Sequence, residues 1–400
     1  MNRREMLAAA AAFGLHGCAG GSSALPVLSR ALRGASVPPP NAKPYVFLDK
    51  MMDLHATGSQ LRLAQSFVPT PQLNLGDLAF TYDNAVMICA YLARGTSDDV
   101  ARATILGDTL LAIQAHDPIG DGRLRWDYHT HPLFSASGAP RFPAGDGGAD
   151  TGNMSWAGMA LMQLYAATKE QKYLAGATAI ADWIVKYCSD TRGAGGFTGG
   201  LTKSNVRITW KSTEHNLDAY ALFVMLGDST HAASALALVD AMWDAKGGYY
   251  WVGTGYDGVT LNKSFIPEDV QTWSFLSTGR AQYASSIDWA SKNLSASQGG
   301  FDGVSFSNSD RSGVWFEGTA HLATALAVRS SSGSAAAQPY LATLAKAETQ
   351  APNADGYGID AASKNGLRTG DGDKYFAALH TGATAWYCLA ELKSNPFALK

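Results

Sequence analysis

The stretch TGNMSWAGMALMQLYAATKEQKYLAGATAIADWIVKYC, residues 151–188, decides the fold. From 156 to 167 apolar residues cover every face of a helix. From 170 to 188 they form a single stripe through Leu174, Ala177, Ala181, Ile184, Val185 and Cys188. A helix that is apolar all round is buried on all sides, whereas one with a single stripe lies on the outside of a core. The stretch therefore reads as an inner helix followed by an outer one.

The same alternation recurs along the chain. Residues 82–94 are followed by 100–114, 217–226 by 232–243, 270–278 by 280–293, and 318–328 by 335–349. A last apolar helix at 382–392 stands opposite an N-terminal helix around 45–63. The pairs are spaced by roughly 50 to 70 residues, long for a simple solenoid but suited to helical hairpins carrying functional loops. Gly195-Gly196-Phe197, Gly247-Gly248-Tyr249 and Gly299-Gly300-Phe301 follow outer helices and are expected to cap them, with Gly356-Tyr357-Gly358 a further turn of this kind. No long run of alternating β-branched residues implies a large sheet. About twelve helices, alternately inner and outer, predict an all-α fold in which six hairpins close into an (α/α)6 toroid. An open superhelix is disfavoured because neither end shows a capping repeat.

Over the whole chain, 400 residues are 46% hydrophobic and only 16% charged, with a formal net charge of -3. That balance excludes a nucleic-acid protein acting through a basic face, and the apolar and aromatic content excludes a disordered chain. The 10 Trp, 16 Tyr and 15 Phe suffice both to fill a core and to line a cleft with rings.

The beginning of the chain reads as an address. Arg3-Arg4 precedes a short apolar run and then Leu15-His16-Gly17-Cys18, which fits a twin-arginine signal of residues 1–17 ending before a lipidated Cys18. Residues 18–43, rich in Gly, Ser, Ala and Pro, read as a flexible tether, and 44–400 as the catalytic domain. The expected location is the periplasm or cell envelope, with the membrane reached only through the lipid and the domain a monomer. Cys89, Cys188 and Cys388 lie in apolar helical patterns and read as buried thiols. No metal-ligand spacing occurs, and neither metal nor cofactor is expected. The acidic loop Asp146 to Asp150 does not match a calcium-binding spacing. Together with His129-Thr130-His131 it belongs to the longest loop, read as a lid or cleft wall.

The chemistry gathers just before the inner helices. Each begins with a polar and aromatic stretch: Thr81-Tyr82-Asp83-Asn84, Asn153-Met154-Ser155-Trp156, Trp210-Lys211-Ser212-Thr213-Glu214-His215-Asn216, Pro267-Glu268-Asp269-Val270-Gln271-Thr272-Trp273, Trp315-Phe316-Glu317-Gly318-Thr319 and His380-Thr381-Gly382-Ala383. In a ring of parallel inner helices these ends face one side and converge on one cleft. Carboxyl groups, amides and indoles around a bowl suit sugars, whose ring faces stack on aromatics while polar groups bind hydroxyls. The plainer reading is capping: Thr81 and Ser212 as N-caps, Pro267 at the first helical position, and Asp83, Glu214 and Asp269 as first-turn acids. Glu214 is crowded by Trp210, His215, Asn216 and Asp218 beyond any capping need, and Glu317 has no evident cap before it. His215, His321 and His380 read more simply as hydrogen-bonded histidines than as metal ligands, and Trp386 as core.

These helix starts, with the closing His380-x-Gly-Ala-Thr-Ala-Trp386, resemble members of the six-hairpin glycosidase superfamily over about residues 45–400. The resemblance implies a hydrolase of polysaccharides or oligosaccharides with acidic residues at inner-helix starts, here Asp83, Glu214, Asp269 and Glu317. Glycoside hydrolysis needs one protonated and one ionised carboxyl group. Glu214 is expected as general acid and Glu317 as base or nucleophile, with Asp83, Asp269 and Gln271 orienting water and hydroxyls. Tyr82, Asn153, Trp156, Trp210, His215, Asp218, Trp273, Trp315 and His380 complete the expected substrate contacts. A polysaccharide lyase would instead use Tyr82 or His215 as base, with Lys211, Arg207 or Arg311 holding a uronate. A sugar epimerase would need an opposed pair such as His215 and His380. A non-catalytic glycan-binding lipoprotein is the remaining alternative.

Overall fold

A computed structural model describes residues 42–143, 147–330 and 333–399. The signal sequence, nearly all of the tether, Cys18 and Asp146 lie outside the described residues. Among the described residues twelve α-helices follow one another: α1 Lys43–Asp53, α2 Thr81–Arg94, α3 Ser97–His116, α4 Thr151–Thr168, α5 Gln171–Cys188, α6 Thr213–Leu226, α7 Ser229–Ala241, α8 Glu268–Thr278, α9 Ser285–Asn293, α10 Phe316–Arg329, α11 Gly333–Gln350 and α12 Thr381–Glu391.

The even-numbered helices form the inner ring. Each packs on the next even-numbered helix, and α12 packs back on α2, so the ring is closed. The odd-numbered helices pack outside, α3 on α2, α5 on α4 and so on, while α1 pairs with α12 and joins the two ends of the domain. The sequence pattern has its cause here. In α4 every residue from Thr151 to Leu164 is buried, whereas α5 buries one stripe including Tyr173, Ala177, Ile180, Ile184 and Cys188. No helix among the described residues is long and apolar enough to cross a membrane.

Three expected details differ. The first helix stops at Asp53 rather than near 63, because Gly58 turns the chain with a positive φ and Arg62 folds back to hydrogen-bond Asp53. The Gly-Gly-aromatic turns do not cap outer helices. Gly247-Gly248 and Gly299-Gly300 join two-stranded antiparallel ladders, Trp243–Asp244 with Tyr249–Tyr250 and Ser295–Gln298 with Phe301–Val304. Gly299 and Gly300 both have positive φ, which a tight hairpin turn requires. The left-handed caps instead terminate inner helices, at Gly95, Gly227 and Gly279.

Short ladders also fix where inner helices begin. Leu78–Phe80 pairs with Asp127–His129 and runs directly into α2. Ala149–Asp150 pairs with Gly200–Leu201 before α4, and Ile359–Asp360 pairs with Leu379–His380 before α12. These backbone clamps hold the first turns of the inner helices at one end of the ring, where the polar residues lie.

Candidate active site

Those first turns surround one pocket. Its walls include Tyr82 and Asp83 from α2, Asn153 and Trp156 from α4, Glu214 from α6, Asp269 and Trp273 from α8, Trp315 and Glu317 at the start of α10, and His380 before α12. Six segments spread over 300 positions therefore meet in one space, as the toroid requires.

The carboxylate of Glu317 is the most heavily held group. Tyr82 donates its phenol to Oε1 at 2.6 Å, and the Trp386 indole N–H donates to that phenol oxygen at 2.7 Å. His321 Nε2 lies 3.7 Å from Oε1 and His380 Nδ1 lies 3.5 Å from Oε2. Burial would raise the pKa of Glu317, but the His321, His380 and Tyr82 contacts win and hold it below the usual carboxylate value. Tyr82 moves the opposite way: burial and the neighbouring Glu317 charge keep it a neutral phenol, able only to donate towards that charge.

Glu214 sits in a contrasting environment. It is half-buried, while Asp83, Asp269 and Glu317 are buried. Burial pushes its pKa well above the ordinary value, and like-charge repulsion from Asp269, Asp218, Asp150 and Glu317 adds to this. Asp269 is raised to about 7 by burial and by Glu268, although its Oδ1 accepts a hydrogen bond from the Val270 N–H. The helix N-terminus, which favours a carboxylate, is thus outweighed at Glu214 by desolvation and by crowding with other acids.

His380 joins Glu317 to Asp83. Its Nε2 is 3.2 Å from Asp83 Oδ2, its Nδ1 accepts from the Ala383 N–H, and its ring stacks on Phe67 at 4.1 Å. Burial pulls its pKa down, but the charge and hydrogen bond of Asp83, with Glu317 behind them, raise it. Gly382 makes this approach possible, since a Cβ there would lie 2.5 Å from Asp83 Oδ1.

Four expected contacts are not pocket walls. Gln271 hydrogen-bonds the backbone of Tyr250 and Pro267, clamping a loop rather than a sugar. His215 is buried behind Gly152, where a Cβ would stand 2.9 Å from its Nε2. Trp210 packs on that histidine, with ring centroids 5.6 Å apart. Asp218 lies one turn below Glu214, fully buried, where burial and the Asp269 and Asp150 charges push its pKa well up. Two capping expectations also change. The Thr81 hydroxyl donates to the Arg125 carbonyl, and Pro267 precedes the first helical residue instead of being it. Ser212 does cap α6, accepting from the His215 N–H.

The cations a lyase would need are also elsewhere. Lys211 is buried, donating to the carbonyls of Arg192 and Gly195, and burial lowers its pKa to about 8. Arg207 binds the Cys188 and Ser189 carbonyls, and Arg311 binds that of Asn293. Lys374 is the cation that lines the pocket among the described residues.

Sequence reasoning passed over several walls. Phe67 and Trp126 come from loops, and Phe80, Lys374 and Tyr375 from strands of two or three residues, too short to leave a periodic signal. Trp126 belongs to the long loop expected as a lid or cleft wall, but His129, Thr130, His131 and Asp150, singled out there, do not line the pocket. His321 had one available signal, its position one helical turn after Glu317. Trp386, expected as core, is fully buried yet supplies the N–H that orients Tyr82. No group of three or more His, Cys, Asp or Glu side chains suited to a metal ion occurs among the described residues.

No family model matches the sequence, and no curated protein does. Solved structures do resemble it. A sugar epimerase from a ruminal bacterium superposes with a TM-score of 0.65 at 11% identity, covering 88% of this chain and 95% of its own. A family 76 glycoside hydrolase from a bovine Bacteroides thetaiotaomicron strain gives 0.57 at 14%, covering 88% and 75%. A glycosidase in complex with glucose gives 0.60 at 14%, covering 87% and 95%. At such identities the likeness concerns the architecture: the chain is a six-hairpin (α/α)6 toroid, the fold of these glycosidases and sugar epimerases.

Proposed function

We propose that the protein is a glycoside hydrolase acting on a polysaccharide or oligosaccharide. The observation that carries this reading is the opposed tuning of two carboxyl groups in one pocket. Glu214 is pushed towards its protonated form and Glu317 is held ionised, the division of roles that glycosidic cleavage requires. Glu214 donates its proton to the leaving glycosidic oxygen as the bond to the anomeric carbon breaks. Glu317 takes a proton from the attacking water, or bonds to the anomeric carbon itself until water replaces it. Asp83 and Asp269 border the same space, and Trp156, Trp273 and Trp315 supply aromatic walls for the sugar rings.

The test is digestion of a panel of glucans and uronans with products read as reducing ends and by mass. Saturated products that disappear in both Glu214→Gln and Glu317→Gln, with the fold retained, support the reading. An active Gln variant overturns the role of that residue. Unsaturated products would assign a lyase, and binding without turnover a glycan-binding lipoprotein.

A sugar epimerase is the second reading, favoured by the presence of two imidazoles, His321 and His380, in one pocket. Against it, the Glu268 and Glu317 carboxylates raise the pKa of His321 to about 9, and a protonated imidazole is no base. NMR of a disaccharide incubated with the enzyme separates the two: epimerisation changes a sugar without releasing one.

For location we propose export and lipid anchoring, on the strength of Arg3, Arg4 and Cys18. Labelling of the expressed protein with a fatty acid, lost in Cys18→Ser, tests the anchor.

A further inference from the structure

His321 lies one turn below Glu317 on α10, on the same face of the helix. Its ring is wedged among Trp273, Trp315 and Trp386, with centroid separations of 5.1, 5.1 and 4.3 Å. On the far side its Nδ1 meets Glu268 Oε2 of α8 at 3.3 Å, and both side chains are completely buried. Three indoles and no solvent would eject a lone charge, so a cation here survives only because carboxylates flank it on both sides. His380 cannot do the same work for Glu317. Its Nδ1, the nitrogen nearer Glu317, already accepts the Ala383 N–H, and its other nitrogen faces Asp83.

We propose that the buried Glu268–His321 pair is the positioning element for Glu317, a carboxylate–imidazole–carboxylate chain running from α8 to α10 that aims an N–H at Glu317 and keeps it in its working form. This rests on the reading of Glu317 as the ionised carboxylate of a hydrolase. Glu268 fixes the ring's orientation and proton, as a carboxylate behind a catalytic or metal-bound histidine does. The flanking acids raise the pKa of His321 to about 9 against the pull of burial, so the ring stays cationic at neutral pH. The other titratable groups around it are Asp269 on α8, Tyr82 and Asp83 on α2, His380 before α12, and Tyr375.

The experiment is a 15N-histidine NMR titration of the full chain and of Glu268→Gln, with the His321 signals assigned by their loss in His321→Asn. In the unsubstituted protein His321 should titrate near 9. In Glu268→Gln that value should fall by one unit or more, and kcat at neutral pH should fall roughly 10- to 100-fold with KM little changed. An unchanged His321 titration overturns the pair, and a shifted titration with unchanged kcat overturns its positioning role. If Glu268→Gln does not fold, Glu317→Gln reads the other half of the chain, with the same fall expected and an unchanged value again counting against it. The titration needs no substrate, so failure of the hydrolase reading, seen as an absence of cleavage, is separable from failure of the pair.

Discussion

The phenol of Tyr82 donates a 2.6 Å hydrogen bond to Glu317, a residue 235 positions later in the chain. The bond ties α2 to α10 across the ring. Because the Trp386 N–H already donates to the phenol oxygen, the phenol's own proton is directed at Glu317. Tyr82 also meets the Trp156 ring edge-on at 5.1 Å, so the donor is held by an acceptor, a donor and a wall.

Tyr82→Phe removes this donor with almost no change of shape. It leaves the Trp386 N–H without its acceptor, at a stability cost of about 1–3 kcal/mol. It also frees Glu317 to turn and to bind a proton more readily. The expected result is a kcat reduced about 10- to 100-fold with KM nearly unchanged, and an acidic limb of the pH–rate profile displaced to higher pH. A wild-type profile in Tyr82→Phe would show that the bond plays no part in turnover.

Asp269 is the charge that acts most strongly on Glu214 after burial itself. Replacing it with Asn removes a negative neighbour, so Glu214 gives up its proton more easily. The alkaline limb of kcat/KM should therefore move to lower pH in Asp269→Asn, while the acidic limb, set by the depressed Glu317, should move little. Steady-state rates across the pH range decide this, and an alkaline limb that stays in place removes Glu214 as the general acid.

His321 links the site to stability. Its neighbouring carboxylates lift its folded-state pKa to about 9, above the ordinary imidazole value of 6.5. Its contribution to stability is therefore fully present below pH 6.5 and is lost as pH rises through about 9. Thermal unfolding of His321→Gln should show a smaller drop in Tm between these two pH values than the parent does. Equal drops would mean that the imidazole is not charged in the folded protein.

The floor of the pocket depends on the end of the chain. Phe397 packs under Trp156 and Trp273 with centroid separations of 5.0 and 5.4 Å. Gln163 holds this segment by donating to the Pro396 and Ala398 carbonyls. Phe397→Ala should cost about 3–5 kcal/mol, the usual range for emptying a packed aromatic site. It should also raise KM more than it lowers kcat, because two sugar-facing indoles lose their support while Glu214 and Glu317 keep their partners. Chemical denaturation and steady-state kinetics on the same sample test both parts.

Much of the architecture was legible in the order of residues because burial imposes a local signature. An inner helix such as α4 touches protein on every side and must be apolar throughout, while α5 needs only a stripe. The acids at inner-helix starts could be found for the same local reason, since no short-range pattern other than capping explains them. Which of them share a space could not. His215 and His321 are both histidines near the start of an inner helix. One lies behind Gly152 and the other stands beside Glu317 of its own helix with Glu268 of α8 behind it, and the partner each ring meets beyond its own helix depends on how the helices pack.

The sequence by itself determined the number and kind of helices, their inner or outer place, and the end of the ring at which polar residues gather. Periodicity carries that information, since each side chain's burial is set by its phase on its own helix. The tertiary structure alone decided that Tyr82 and His380 converge on Glu317, that Glu268 meets His321, that Gln271 serves the backbone, and that Glu214 and Glu317 are tuned apart. Those outcomes depend on distances between separate segments of the chain and on the exclusion of water between them, and neither exists until the ring has closed.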